Sequence, residues 1–237
     1  HAAPVIARSV GEMALGLTLA GLRNMVRHTT AFRQQGTPGD ATLTYAANRG
    51  LHGARVGLIG ASMTGREFIK LLHAFEDVDI WVYDPYLSDN AAGQLGVHKA
   101  ELDDLLASCD VVSLHAPANE ATFHLIGKRE LALLQDDALL VNTARGELVD
   151  HDALLAELRR GRISAALDVY LETLSDAEVA ASPYRELPNV IITPGWAGPA
   201  VQLRQQLGAA MVDELARFFT GLEPRYRVTP ERLQTMA

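Results

Sequence analysis

The stretch Gly60-Ala61-Ser62-Met63-Thr64-Gly65, with Asp84 19 positions after Gly65, is the group best placed by residue type and spacing to do chemistry. Glycine at 60 permits a tight turn, and glycine at 65 lets a helix and a strand pack closely. The helix that begins in this turn offers unpaired N–H groups and the positive end of its dipole, which together attract an anion. Gly60, Ser62, Met63 and Thr64 would therefore cradle a diphosphate. Asp84 would accept hydrogen bonds from a ribose and repel a 2′-phosphate, so the dinucleotide is NAD rather than NADP. Ser62 departs from the glycine that the fingerprint has there. Its Cβ narrows the approach, while its hydroxyl can donate to a phosphate oxygen. Alone, this turn also reads as an α/β connection that binds nothing. The order of strand, turn, helix, strand and terminal Asp favours the nucleotide.

The elements that must hold these residues follow from hydrophobic pattern. Val56 to Ile59 is a short apolar run, the mark of a buried parallel strand. Phe68, Ile69, Leu71, Leu72 and Phe75 repeat at helical spacing, and Val78 to Tyr83 is a second strand. Beyond them the spacing predicts helices at 101–107, 128–134, 150–160 and 199–220, the third capped by Asp150 and stopped at Gly161. Strands are predicted at 110–114, 138–142, 163–169 and 190–192. This alternation is α/β: a doubly wound parallel sheet of the Rossmann type. Ligands in such sheets lie beyond the carboxyl ends of the strands. Polar residues gather there at His115-Ala116-Pro117, at Asn142-Thr143-Ala144-Arg145-Gly146 and from Asp168 to Glu172.

Before this core, residues 9–35 read as one helix with a Ser9/Glu12 capping box, and 36–53 as a loop. Its apolar stripe is wide enough to be buried on more than one side. Two readings stand: a homodimer contact, or burial wholly within the subunit. The chain has 237 residues, 48% hydrophobic and 21% charged, with a formal charge of −8, which argues against nucleic acid and anionic membrane as partners. A lone cysteine, Cys109, rules out an internal disulfide, reads as a small buried residue and suits a reducing cytoplasm. No His/Cys cluster has zinc spacing, so no metal is expected. The densest apolar segment, Met13 to Leu22, is too short to span a bilayer.

Three stretches, SLHAP, the run HLIGKRELALLQDDALLVNTARGELVDHDALLAELRRGRISAALDVY and LPNVIITPGWAG, resemble the D-isomer-specific 2-hydroxyacid dehydrogenases, including phosphoglycerate and glyoxylate dehydrogenase-type enzymes. The resemblance implies NAD and a small 2-hydroxy or 2-oxo acid as ligands, with hydride passing between nicotinamide and substrate. It implies that Arg145 holds the carboxylate and carbonyl, and that Asp168 lies near the nicotinamide. His115, Ala116, Pro117, Thr143, Ala144 and Gly195 join the cofactor surface. Two departures matter. The family's glutamate, five positions after the Asp, falls on Thr173, with Glu172 one residue early. The family's catalytic histidine, in T-P-H-x-A-G, falls on Gly195, which cannot move a proton; Trp196 would wall the space. Hence two functions are expected in turn: a slow NAD-dependent oxidoreductase, with Arg145 and Glu172 as its catalytic residues, or a silent NAD(H)-binding sensor or scaffold. His115 is a possible substitute for the missing imidazole, although a structural role suits it better. The resemblance also divides the chain. Residues 1–8 would be a crossover from a flavodoxin-like substrate domain, 9–220 the NAD-binding domain and 221–237 the return.

Overall fold

The computed structural model describes residues 3–37, 39, 47–170, 174–198 and 200–229. Seven strands, all parallel, form one sheet: β1 (Arg55–Ile59), β2 (Asp79–Tyr83), β3 (His98–Lys99), β4 (Val111–Leu114), β5 (Leu139–Asn142), β6 (Ser164–Leu167) and β7 (Val190–Ile192). Their order is β3-β2-β1-β4-β5-β6-β7. The chain therefore builds outward from β1 to one edge, returns, and builds outward again from β4. That reversal opens a crevice at the carboxyl ends of β1 and β4. Val56 pairs with Ile80 on one side and Val111 on the other. Every residue of β4 and β5 is buried, as strands covered on both faces require.

The helix α3 (Met63–Leu72) buries Gly65, Phe68, Ile69 and Leu72, one face at helical spacing. Asp150 accepts hydrogen bonds from the N–H groups of Asp152 and Ala153, starting α7 (His151–Arg159), and Gly161, at φ 71°, follows its end. Cys109 is fully buried against Leu105 and Leu106 of α5 (Leu102–Ser108), and burial pushes its thiol up to about 12.

The N-terminal region departs from expectation. It forms two helices, α1 (Ala3–Leu22) and α2 (Met25–Gln35), broken at Asn24, which is left-handed at φ 49°. Asn24 Nδ2 donates to the Ala47 carbonyl and Arg23 Nε to Asn48 Oδ1, so the loop ties down the break. The Ser9/Glu12 box does not cap anything, because helix precedes Ser9 and Glu12 pairs with Arg8 instead. The apolar run is also longer than predicted. Pro4–Leu22 has the length and composition to cross a membrane. In the fold it packs against α3 and the sheet through Val10, Ala14, Leu17 and Leu22, at a distance set by small residues. A Cβ on Gly21 would come within 2.7 Å of the Leu139 side chain, and one on Gly11 within 3.0 Å of Glu67. Val10, Leu17 and Leu22 of α1 are buried within the chain, whereas Met13, Leu15 and Leu19 stay half-buried and Met25, beyond its end, is exposed.

Among the described residues, α4 (Asp89–Leu95), β3 and α8 (Asp176–Ala181) were not predicted, nor were the short 3-10 turns Gly146–Leu148 and Pro183–Glu186. The last helix, α9, begins at Val201 and runs to Phe219; Pro199 is outside the described residues.

Candidate functional site

The glycine turn is locked by its neighbours. Gly60 stands at φ 99°, and a Cβ there would meet the His115 carbonyl and the Ala116 N–H at 2.9 Å. A Cβ on Gly65 would lie 2.4 Å from the Gly60 carbonyl oxygen. Glycine is required at both positions by packing alone. Ser62 is the N-cap of α3: its Oγ accepts from the Gly65 N–H at 3.5 Å and lies 3.0 Å from Thr64 Oγ1. The hydroxyl expected to face a phosphate is thus turned onto its own helix. Asp84, at the end of β2, takes the Ala61 N–H on Oδ2 and the Tyr86 N–H on Oδ1, both at 2.8 Å.

His115 lies beneath this turn, fully buried. One ring nitrogen is 2.9 Å from Ser113 Oγ and the other 3.3 Å from Thr64 Oγ1, with the Phe68 ring alongside. Burial drives its pKa down to about 3. With both nitrogens engaged and no access to solvent, this imidazole braces β4 against α3 and is not a substitute proton carrier.

Above it is a cavity of about 360 Å³. The expected residues Gly60, Ser62, Asp84, His115, Ala116 and Pro117 line it, drawn from the ends of β1, β2 and β4. Met63 and Thr64 form the adjoining first turn of α3. Arg66, Tyr86, Asn119 and Thr122 line it too, and sequence reasoning missed all four. Only Arg66 carried a signal, as a cation in the first turn of the phosphate-facing helix.

Arg145 opens onto a second cavity, of about 290 Å³, with Phe123, His124, His151, Val169 and Tyr170. Its side chain is exposed, and Nη1 donates to the Ala144 carbonyl at 2.6 Å. Buried Asn142 grips this loop: Nδ2 donates to the Arg145 carbonyl, and Oδ1 accepts from the Ala144 N–H. His151 backs the same loop. Its Nδ1 lies 3.1 Å from the Tyr184 hydroxyl, and burial, partly countered by the Gly146 backbone, lowers its pKa. From the sequence Asn142 was only one of the polar residues at the end of β5, and His151 was not singled out. Thr143 and Ala144, at the carboxyl end of β5, are buried. Thr143 Oγ1 is a buried hydroxyl with no hydrogen-bond partner among the described residues. Such a group is costly unless a ligand completes it.

Asp168 is also buried. Oδ1 accepts from the Thr193 hydroxyl and the Trp196 N–H, and Oδ2 from the Ala197 N–H. It is the post that holds the Thr193–Ala197 loop on β6. Gly195 in that loop is left-handed, at φ 77°. Trp196 is 70% exposed and forms no wall. Glu172 and Thr173 lie outside the described residues. Among those described, no three His, Cys, Asp or Glu side chains group as metal ligands.

The residues present fit a dinucleotide. The cavity straddles the reversal of strand order, a helix N-terminus and an acidic strand end border it, and an orphaned hydroxyl waits at the neighbouring strand end. Comparison with known proteins agrees. The family model described as D-isomer specific 2-hydroxyacid dehydrogenase, NAD binding domain, matches residues 15–197. D-3-phosphoglycerate dehydrogenase of Methanocaldococcus jannaschii is 31% identical over 215 residues, 90% of this chain but 39% of that protein. Hydroxypyruvate reductase of Thermotoga maritima is 32% identical over 210 residues, covering 88% of this chain and 66% of its own. The solved structure of D-2-hydroxyisocaproate dehydrogenase superposes with a TM-score of 0.83 at 26% identity, over 95% of this chain and 70% of that one. This chain belongs to the D-isomer specific 2-hydroxyacid dehydrogenase family and carries its NAD-binding domain.

Proposed function

We propose that the chain is the cofactor-binding part of an NAD-dependent oxidoreductase acting on a small 2-hydroxy or 2-oxo acid. The observation that carries this reading is the cavity bounded by the Gly60–Gly65 turn and Asp84. When bound there, the nicotinamide cofactor supplies hydride exchange at the substrate's C2. The chain's own residues do the rest. The first turn of α3 and its neighbours receive the diphosphate, Asp84 receives the ribose, and Thr143 offers its hydroxyl toward the nicotinamide end. Arg145 swings from the Ala144 carbonyl to hold the carboxylate in a planar, charge-assisted pair. Asn142 fixes the backbone from which it swings.

Proton transfer is the weak step. Glycine occupies position 195 and His115 is sealed in the core, so neither supplies the acid/base that is typically worth ~10²–10⁴-fold. Slow turnover follows. The same observation favours a second reading, an NAD(H)-binding sensor or scaffold with no turnover at all. NADH fluorescence titration tests the shared foundation, and steady-state reduction of glyoxylate, pyruvate and hydroxypyruvate separates the two readings. Absence of NADH binding sinks both.

Three further proposals accompany this reading. A substrate domain would join the chain before residue 9 and after residue 220, supported by the partial coverage of the relatives. A second copy of the chain would cover Met25, Val26 and Phe32, apolar side chains left exposed on α2. The location would be the cytoplasm, supported by the single buried cysteine.

A further inference from the structure

We infer that Arg66 is a cofactor-binding residue, its guanidinium taking the diphosphate of the dinucleotide at the mouth of the glycine turn. This rests on the dinucleotide reading above and adds a charge that the fingerprint does not supply.

Arg66 follows Gly65 in the first turn of α3, and its N–H donates to the Ser62 carbonyl. Its Nε then reaches back to the Ala61 carbonyl at 2.9 Å, which lays the side chain along the turn. Its two Nη groups bond to none of the described residues, and no described carboxylate lies within ion-pair distance. A fixed cation without a counter-ion is notable in a chain of net charge −8. Among the described residues lining the cavity, Arg66 is the one cation. The other formal charge there is Asp84, whose oxygens already serve Ala61 and Tyr86.

The donors around the turn explain the need. A diphosphate brings about two negative charges, whereas a helix N-terminus offers roughly half of one positive charge. One of its N–H groups, that of Gly65, is already directed at Ser62 Oγ. Asp84 on the facing strand repels the incoming anion. An unpaired guanidinium held at the same mouth, with donors in a fixed fork, offsets both deficits.

The test compares the parent chain with Arg66→Gln and Arg66→Lys. NADH and NADPH are titrated by fluorescence, and ADP-ribose and phosphate-free adenosine by competition. Because Arg66 is exposed, both variants should fold, which circular dichroism checks. Expected is a loss of about tenfold in NADH and ADP-ribose affinity for the Gln variant, the scale of one charge-assisted hydrogen bond. Adenosine affinity should be unchanged, Lys should recover part of the loss, and the salt dependence of NADH binding should flatten with Gln. Equal NADH affinity in parent and Gln variant overturns the inference while leaving the dinucleotide reading intact. An equal loss for adenosine also overturns it, since the effect would then be structural. A larger loss for NADPH than for NADH would place the guanidinium at the 2′-position instead. A parent that binds none of these ligands removes the dinucleotide reading and this inference together.

Discussion

The Asp84 carboxylate holds the Ala61 N–H at 2.8 Å, so the acidic residue at the end of β2 shapes the glycine turn of β1 before any ribose arrives. Selectivity and architecture therefore share one side chain. Asp84→Asn removes the charge that repels a 2′-phosphate and sets an amide against an N–H donor. NADH affinity should fall by about tenfold, the scale of a hydrogen bond to a charged group. The preference for NADH over NADPH, at least about tenfold in the parent on the same scale, should narrow. Parallel fluorescence titrations decide it, and an unchanged ratio would show that Asp84 does not discriminate.

Arg145→Lys keeps the charge but loses the planar fork. Oxamate binding to the NADH complex, in a protein that includes the substrate domain, should weaken by about tenfold or more. Asn142→Ala should do nearly as much without touching the ligand, because it frees the Ala144–Arg145 backbone. If oxamate affinity survives both changes, the carboxylate is held elsewhere.

Gly195→His restores the imidazole in a backbone poorly suited to it. At φ 77° a side chain costs about 1–2 kcal/mol. The variant should melt at a lower temperature than the parent, leave NADH affinity nearly unchanged, and raise the rate of 2-oxo acid reduction. A parent that already turns over at about 10 s⁻¹, the usual enzyme median, would contradict the idea that the proton carrier is missing.

Asp168 satisfies three donors of the 193–197 loop. Asp168→Ala leaves all three without this partner, at about 1–3 kcal/mol for the buried Ala197 N–H and less for the two part-buried donors. The urea midpoint should drop sharply, and limited proteolysis should cut near Trp196. An intact midpoint would mean that the loop is held by other contacts.

His115 gives the fold an acid-sensitive core. Its folded pKa, about 3, lies below the ordinary 6.5, so the unfolded chain binds a proton that the native chain refuses. Stability from this group is complete above pH 6.5 and erodes as pH falls toward 3, by up to about 1.4 kcal/mol per pH unit. His151, whose pKa is also lowered, adds in the same direction. His115→Gln, which can still pair with Ser113 and Thr64, should flatten the acid limb of the stability curve. Identical slopes for parent and variant would remove His115 from the account.

The repeating core was legible because each strand is a short apolar run and each helix keeps a 3.6-residue stripe. The edge was not: β3 is two exposed residues, His98 and Lys99, with no apolar signature. Capping motifs misled in both directions. Ser9-x-x-Glu12 caps nothing, because Pro4 to Arg8 continue the helix upstream. Ser175-x-x-Glu178, passed over in the sequence, is a working box, with the Ser175 N–H held by Glu178 Oε2 at 2.8 Å. At the site, the glycines and Asp84 could be read because their roles depend on the backbone. What Asn142, His151 and Arg66 do depends on where side chains turn after folding, and no spacing encodes that.

The packing of α1 bears on how the chain is made. Its apolar face lies on α3, on β5 and on β6, and the close approach of Gly21 to Leu139 joins α1 to a strand more than a hundred residues later. During synthesis that face emerges before α3, β5 and β6 do, and it has no complete surface to cover it until β6 has left the ribosome. A segment with the hydropathy of a membrane anchor is thus displayed for much of translation, open to chaperones and targeting factors. Slowing elongation before residue 167 should lengthen that display and increase capture of the nascent chain, whereas in the finished domain Val10, Ala14, Leu17 and Leu22 are packed away.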